Sequence, residues 1–128
     1  MTNRATFAKE KRNGWYFLYE PDAFTLARRP NLRFHVAADT VLPRVNKVRL
    51  ATQIRQDLWR ALRRVRGFCP MVRVEEDGTH LRVRAGGEVS ARTYPKSSIE
   101  QTIADLLANP EYRARWITHA KRRPAHDQ

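Results

Sequence analysis

The sequence predicts an α+β fold: a small antiparallel sheet, in the element order β-β-α-β-β-α-α, with the helices packed on one face. Two patterns carry this prediction. Residues 71–85 alternate apolar and polar side chains around a turn signal, and residues 43–66 repeat apolar side chains at helical spacing. The 128 residues, 41% of them hydrophobic, suffice for one core. The expected organisation is a flexible basic arm at 1–12, a single domain at 13–123 and a disordered tail at 124–128.

The first two strands are predicted on either side of a breaker-rich segment. The arm is polar and basic without periodicity, and Asn13-Gly14 after it is a turn signal. The aromatic run from Trp15 to Tyr19 has the composition of a strand. Residues 22–29 fit one helical turn or a loop. Residues 32–37 alternate in the way that is typical of a half-buried strand.

The clearest helix is predicted over residues 43–66. Pro43 suits a first helical turn, and Gly67 suits the position just past a helix end. One arc of about 120° collects the apolar core face, which consists of Leu50, Ala51, Ile54, Leu58, Leu62 and Val65. The opposite arc is polar and basic, and consists of Arg49, Gln53, Gln56, Arg60, Arg63 and Arg64.

A β-hairpin is predicted over residues 71–85. A two-residue Asp77-Gly78 turn would place Arg73 opposite Arg82, with Arg84 diagonal to Arg73. The alternation then puts these three arginines on one face of the hairpin. The other face, directed at the core, carries Val72, Val74, Leu81 and Val83.

Two helices are predicted to end the fold. Ser97 and Glu100 have the spacing of a capping box, and Asn109-Pro110 ends or kinks the helix that follows. A last helix from Pro110 would place Tyr112 and Trp116 on one face.

Positive charge is concentrated in the middle of the chain. The formal net charge is +12, and the segment 41–74 holds nine basic residues and one acid, Asp57, so its local charge is 9 − 1 = +8. A basic excess of this size on one helix and the strand after it is typical of a surface that meets a polyanion. Like charges that face each other across the hairpin repel, and an anion between them would remove this repulsion.

These patterns predict a small nucleic-acid-binding protein, with DNA as the favoured ligand and a regulatory role. Arginines would contact phosphates, and glutamine amides would reach base edges. The candidate binding residues are Arg49, Gln53, Gln56, Arg60, Arg63, Arg64, Arg73, Arg82 and Arg84. A homodimer would let two basic helices address consecutive half-sites.

Three other interpretations stay open. An exposed basic sheet face also suits RNA, so the protein is alternatively an RNA-binding protein. The aromatic run from Trp15 to Tyr19 is either a platform for stacking bases or a strand that fills the core. Exposed arginines with Trp59 are also typical of a protein-interaction module that docks on an acidic partner.

Catalytic, cofactor and membrane functions have little support in the sequence. The four histidines are scattered, the single cysteine Cys69 has no nearby metal-ligand partner, and the Gly86-Gly87 pair lacks the spacing of a phosphate loop. The longest apolar run is far too short to span a membrane. We therefore expect a non-enzymatic, soluble, cytoplasmic protein without metal or cofactor.

Overall fold

The computed structural model describes residues 8–121, which form six strands and three helices. The strands are β1 (Ala8–Arg12), β2 (Trp15–Glu20), β3 (Ala23–Ala27), β4 (Val36–Pro43), β5 (Phe68–Asp77) and β6 (His80–Val89). The helices are α1 (Lys47–Leu62), α2 (Lys96–Ala108) and α3 (Pro110–Lys121). The fold is therefore α+β, as predicted.

The six strands form one antiparallel sheet in the order β1-β2-β3-β5-β6-β4. The connection from β3 to β4 passes from the middle of the sheet to its far edge. Helix α1 packs on β3, β5 and β6, and α2 packs on β4 and β6. The side chains that these helices cover, such as Phe24, Val74 and Val83, join those of the helices in one core cluster.

Two strands lie where the sequence pattern predicts none. Strand β1 occupies part of the predicted flexible arm; it is an exposed edge strand of alternating charges, so no apolar pattern marks it. Strand β3 replaces the helical turn or loop expected at 22–29. All five of its residues are buried, so it lacks the alternation that indicates a half-buried strand. The rest of the arm, residues 1–7, lies outside the described residues.

The second predicted strand begins later than expected. Strand β4 runs from Val36 to Pro43, whereas the alternating segment was 32–37. The predicted strand at Trp15 to Tyr19 is confirmed as β2. The Asn13-Gly14 turn before it is also confirmed, because both residues have positive φ, 50° and 80°, as a type I′ hairpin turn requires.

Helix α1 is shorter than the predicted segment 43–66. Pro43 ends β4 instead of starting the helix. The helix begins after Asn46, whose side-chain oxygen accepts a hydrogen bond of 2.9 Å from the backbone N–H of Arg49. It ends at Leu62, and the chain turns at Gly67, which has a φ of 71°.

The hairpin has the predicted faces but a different register. Asp77 pairs with His80, so the turn is Gly78-Thr79, and Gly78 alone has a positive φ. A type I′ turn at Asp77-Gly78 would need positive φ at both residues, whereas Gly as the first central residue suits type II′. The register moves by two residues. Side chains therefore keep their faces, but their cross-strand partners change.

The start of α2 also differs from the prediction. The helix begins at Lys96 after Pro95, and no side chain caps it. Glu100 accepts hydrogen bonds from the backbone N–H of Ala37 at 3.0 Å and from Lys96 at 2.9 Å, so its carboxylate is not available for a capping box. The break at Asn109-Pro110 is confirmed. The tail predicted at 124–128 lies outside the described residues.

The only acid of the segment 41–74 is buried between α1 and α3. Asp57 is 4% exposed, and Trp116, which is fully buried, donates its indole N–H to the Asp57 carboxylate at 2.7 Å. Arg115 donates to the same carboxylate at 3.0 Å. A charge taken out of water is stable only when such partners replace its hydration. This contact therefore links α3 to α1 through a buried, charge-assisted hydrogen bond.

We predict that Asp57→Ala lowers the free energy of unfolding by about 3 kcal/mol, because it strands a buried indole N–H and unpairs Arg115. Urea denaturation measures the loss. Asp105→Ala is the matched control, because Asp105 is exposed on α2 and accepts a hydrogen bond from Gln101. The control should change the free energy by less than about 0.5 kcal/mol. Equal losses in the two variants would contradict the role assigned to Asp57.

Candidate nucleic-acid interface

The six candidate residues from the predicted helix lie together on the solvent side of α1 and at its end. We call them the outer α1 surface: Arg49, Gln53, Gln56, Arg60, Arg63 and Arg64. The buried residues of α1 face the sheet and α3, so this surface points away from the core. Four of the six are exposed and two, Arg49 and Gln53, are half-buried. The helical period alone was enough to group them.

The three candidate residues of the hairpin lie on the other side of the sheet. Val72, Val74 and Val83 face α1 in the core, and alternate residues of a strand point to opposite faces. Arg73, Arg82 and Arg84 therefore point away from α1. Arg73 faces Arg84 across the strands and Arg82 faces Glu75, which corrects the expected pairing of Arg73 with Arg82. The nine candidates form two separate surfaces.

Each hairpin arginine has a carboxylate partner within the fold. Arg84 forms two hydrogen bonds with Asp39, of 2.7 and 2.9 Å. Arg73 forms two with Glu20, both of 3.2 Å. Arg82 contacts Asp77 at 3.1 Å. The protein itself therefore supplies the negative charge that was expected from a bound anion. Two of these carboxylates, Glu20 and Asp39, are distant in sequence from the arginines that they pair with.

The Asp39 carboxyl shows the electrostatic effect of this pairing. The hydrogen bond from Arg84 lowers the Asp39 pKa below its ordinary value of 3.8, and burial of the carboxyl opposes this effect. Bidentate arginine–carboxylate pairs are among the stronger charge-assisted hydrogen bonds. An external phosphate that binds Arg84 would have to compete with Asp39.

The arginines at the end of α1 differ from those of the hairpin in their carboxylate partners. Arg63, Arg64 and Arg66 are exposed and make no hydrogen bond or ion pair with any residue between 8 and 121. Arg60 has a side chain 70% exposed and reaches Asp57 at 3.4 Å. Asp57 is already held more closely by Arg115 and Trp116. Positive charge is therefore uncompensated at this end of the helix.

A cleft adjoins α1 on the side of β2. We call it the arginine cleft; its volume is about 520 Å³, and its main lining residues are Trp15, Arg28, Arg55, Trp59 and Phe68. The guanidinium carbons of Arg55 and Arg28 lie 4.5 and 5.1 Å from the centre of the Trp15 ring. Sequence analysis missed this site because its residues come from four separate segments. The only local signal is the i, i+4 spacing of Arg55 and Trp59.

The aromatic run of β2 mainly fills the core. Phe17 and Tyr19 pack against Phe24, with ring centres 5.8 and 5.2 Å apart. Both rings belong to the half-buried layer around the core cluster. Only Trp15, at the start of the run, reaches the arginine cleft. The run therefore does not form a continuous platform for stacking.

No metal-binding group of three or more histidine, cysteine, aspartate or glutamate side chains is found between residues 8 and 121. In the same part of the chain, none of the helices has the length and apolar character needed to cross a membrane. Cys69 is a half-buried thiol beside the arginine cleft.

In comparisons with known protein families, with curated proteins and with solved structures, the chain matches none.

The Asp39–Arg84 pair leads to a prediction about pH. Because the Asp39 pKa is lowered in the folded protein, the pair stabilises the fold above pH 3.8, and this stabilisation is lost as the pH falls through the folded-state pKa. Arg84→Gln should raise the Asp39 pKa towards 3.8, as followed by carboxyl carbon NMR. Arg92→Gln, at an exposed arginine, should leave it unchanged. An unaltered Asp39 pKa in the Arg84→Gln variant would rule out the pairing.

Proposed function

We propose that this protein binds nucleic acid, with DNA favoured, through the outer α1 surface. The observation that supports this proposal is the contrast between the two groups of arginines. Those of the hairpin have carboxylate partners, whereas Arg63, Arg64 and the adjacent Arg66 have none among the described residues. Phosphate oxygens are the ligands that such uncompensated guanidinium groups prefer.

The shape of α1 favours duplex DNA. The helix has 16 residues and is about 24 Å long at a rise of 1.5 Å per residue, and an α-helix fits the major groove. Gln56 is exposed and Gln53 half-buried among the arginines. Their amides match the donor and acceptor pattern of adenine. Phosphate contacts would supply most of the affinity and the glutamines any sequence preference.

An acidic protein partner is the second candidate function. Trp59 is 45% exposed, which is unusual for so large an apolar side chain, and it lies on α1 beside exposed arginines. Tryptophan and arginine dominate the residues that carry binding energy in protein interfaces. A stoichiometric protein partner that survives nuclease treatment would favour this function over nucleic acid.

Salt dependence tests the nucleic-acid proposal. For duplex DNA, the slope of log K against log salt is about −0.9 for each phosphate neutralised. The double variant Arg63→Gln/Arg64→Gln should make this slope less steep by roughly 1.8 and weaken binding. Fluorescence anisotropy of a labelled duplex at several salt concentrations measures both quantities.

The matched control is Arg82→Gln/Arg84→Gln, which removes two exposed arginines that have carboxylate partners. We expect a slope change below about 0.5 for this pair, because Asp77 and Asp39 already compensate the charges. Thermal unfolding of both variants checks that each remains folded. Equal slope changes in the two variants, or a wild-type slope near zero, would overturn the proposal. Tighter binding of an RNA competitor than of duplex DNA would overturn the preference for DNA.

A further inference from the structure

The arginine cleft is lined by two positively charged side chains, Arg28 and Arg55, that lack an acidic partner among the described residues. No carboxylate among residues 8–121 lies within ion-pair distance of Arg28 or Arg55. Arg55 is half-buried, and its Nε atom is buried without a hydrogen-bond partner among the described residues. Folded proteins satisfy nearly all such atoms, so an unsatisfied one needs an explanation.

Without a bound anion, the positive charge of Arg55 is in an unfavourable environment. Burial lowers the Arg55 pKa, and the positive charge of Arg28 lowers it further. Both guanidinium groups also contact the ring of Trp15, and such cation–π contacts are favourable. An anion between Arg28 and Arg55 would remove the repulsion and accept hydrogen bonds from the terminal guanidinium N–H groups. The geometry therefore has the form of an anion site.

The second half of the cleft is aromatic. Trp59 is one turn beyond Arg55 on α1 and is 45% exposed, so one part of its indole is open to a ligand. Phe68 extends the apolar wall. Arg63, the residue just past the end of α1, is at the i, i+4 position from Trp59. The exposed indole therefore lies between the anion site and the uncompensated end of α1.

We propose that the arginine cleft binds an unpaired nucleotide of a single-stranded nucleic acid. Its phosphate lies between Arg28 and Arg55, and its base stacks on Trp59. The volume of about 520 Å³ is within the range of roughly 300–1,000 Å³ that small-ligand sites have. This inference deepens the proposed function and rests on it for the source of the nucleotide.

An unpaired base suits the cleft better than a duplex does. Stacking on an indole requires an exposed base face, which a base inside a duplex does not offer. The walls of the cleft come from β2, β5, the connection after β3 and one side of α1. None of the six residues of the outer α1 surface lines the cleft. Arg63 and Arg64 would contact the phosphates on one side of the bound nucleotide.

Three variants test the site: Trp59→Ala, Arg28→Gln and Arg55→Met. Anisotropy of a fluorescently labelled thymidine 12-mer and calorimetric titration of adenosine 5′-monophosphate measure binding, because neither signal depends on Trp59. Each variant should bind the 12-mer about tenfold or more weakly than the wild type. Arg92→Gln is the matched control, because Arg92 is exposed and does not line the cleft. It should bind the 12-mer as the wild type does.

The Arg55→Met variant separates binding from folding. Methionine keeps the apolar stem of the side chain and removes an unpaired, half-buried charge. The melting temperature of the variant should therefore equal or exceed that of the wild type. Stable folding with weak 12-mer binding supports the site. Unchanged 12-mer binding in all three variants overturns it.

The outcomes distinguish this inference from the proposed function. Duplex and 12-mer binding that respond only to Arg63→Gln/Arg64→Gln would overturn the cleft and leave the outer α1 surface in place. Binding of adenosine 5′-monophosphate, lost in the cleft variants, without binding of any strand would support the cleft as a nucleotide site. That result would overturn the proposed function, and it would also overturn the inference that the bound nucleotide belongs to a nucleic-acid strand. Binding of neither probe would overturn the inference.

Discussion

The burial of Asp57 is the constraint on which the arrangement of the helices depends. Helix α3 packs mainly on α1, and its fully buried Trp116 donates a hydrogen bond of 2.7 Å to the Asp57 carboxylate. The carboxylate in turn is stable in the core because Arg115 and the indole replace its hydration. The same contact has an electrostatic consequence for the surface. It removes the one acid of the segment 41–74 from solvent, and among the described residues Arg63 and Arg64, just past the end of α1, have no carboxylate partner.

Charge in this protein is therefore better judged by pairing than by counting. Arg73 and Arg84, on the open face of the sheet, each form two hydrogen bonds with a carboxylate. Such pairs stabilise one geometry and offer little to an external anion. At the end of α1, Arg63 and Arg64 have no such partner in the described chain. The two basic surfaces therefore differ in how far the protein itself compensates their charge.

The candidate site was only partly accessible to sequence reasoning. The outer α1 surface followed from the 3.6-residue period, which places residues on a face without any tertiary information. The hairpin arginines were placed on the correct face for the same reason, since a register error of two residues does not change faces. Arg55 was different. Its importance comes from Arg28 and Trp15, which approach it only because β2 and the connection after β3 pack beside α1.

The sequence by itself determined the α+β class, the helix that became α1, the turn at Asn13-Gly14 and the break at Asn109-Pro110. It also determined the face on which the three hairpin arginines and the residues of the outer α1 surface lie. These features depend on local periodicity and on residues with restricted or unusual backbone preferences. The tertiary structure alone decided that β3 is a buried strand, that Asp57 joins α1 to α3, and which arginines are paired. Those outcomes depend on contacts such as Arg84 with Asp39, which are 45 residues apart and meet only when β4 pairs with β6.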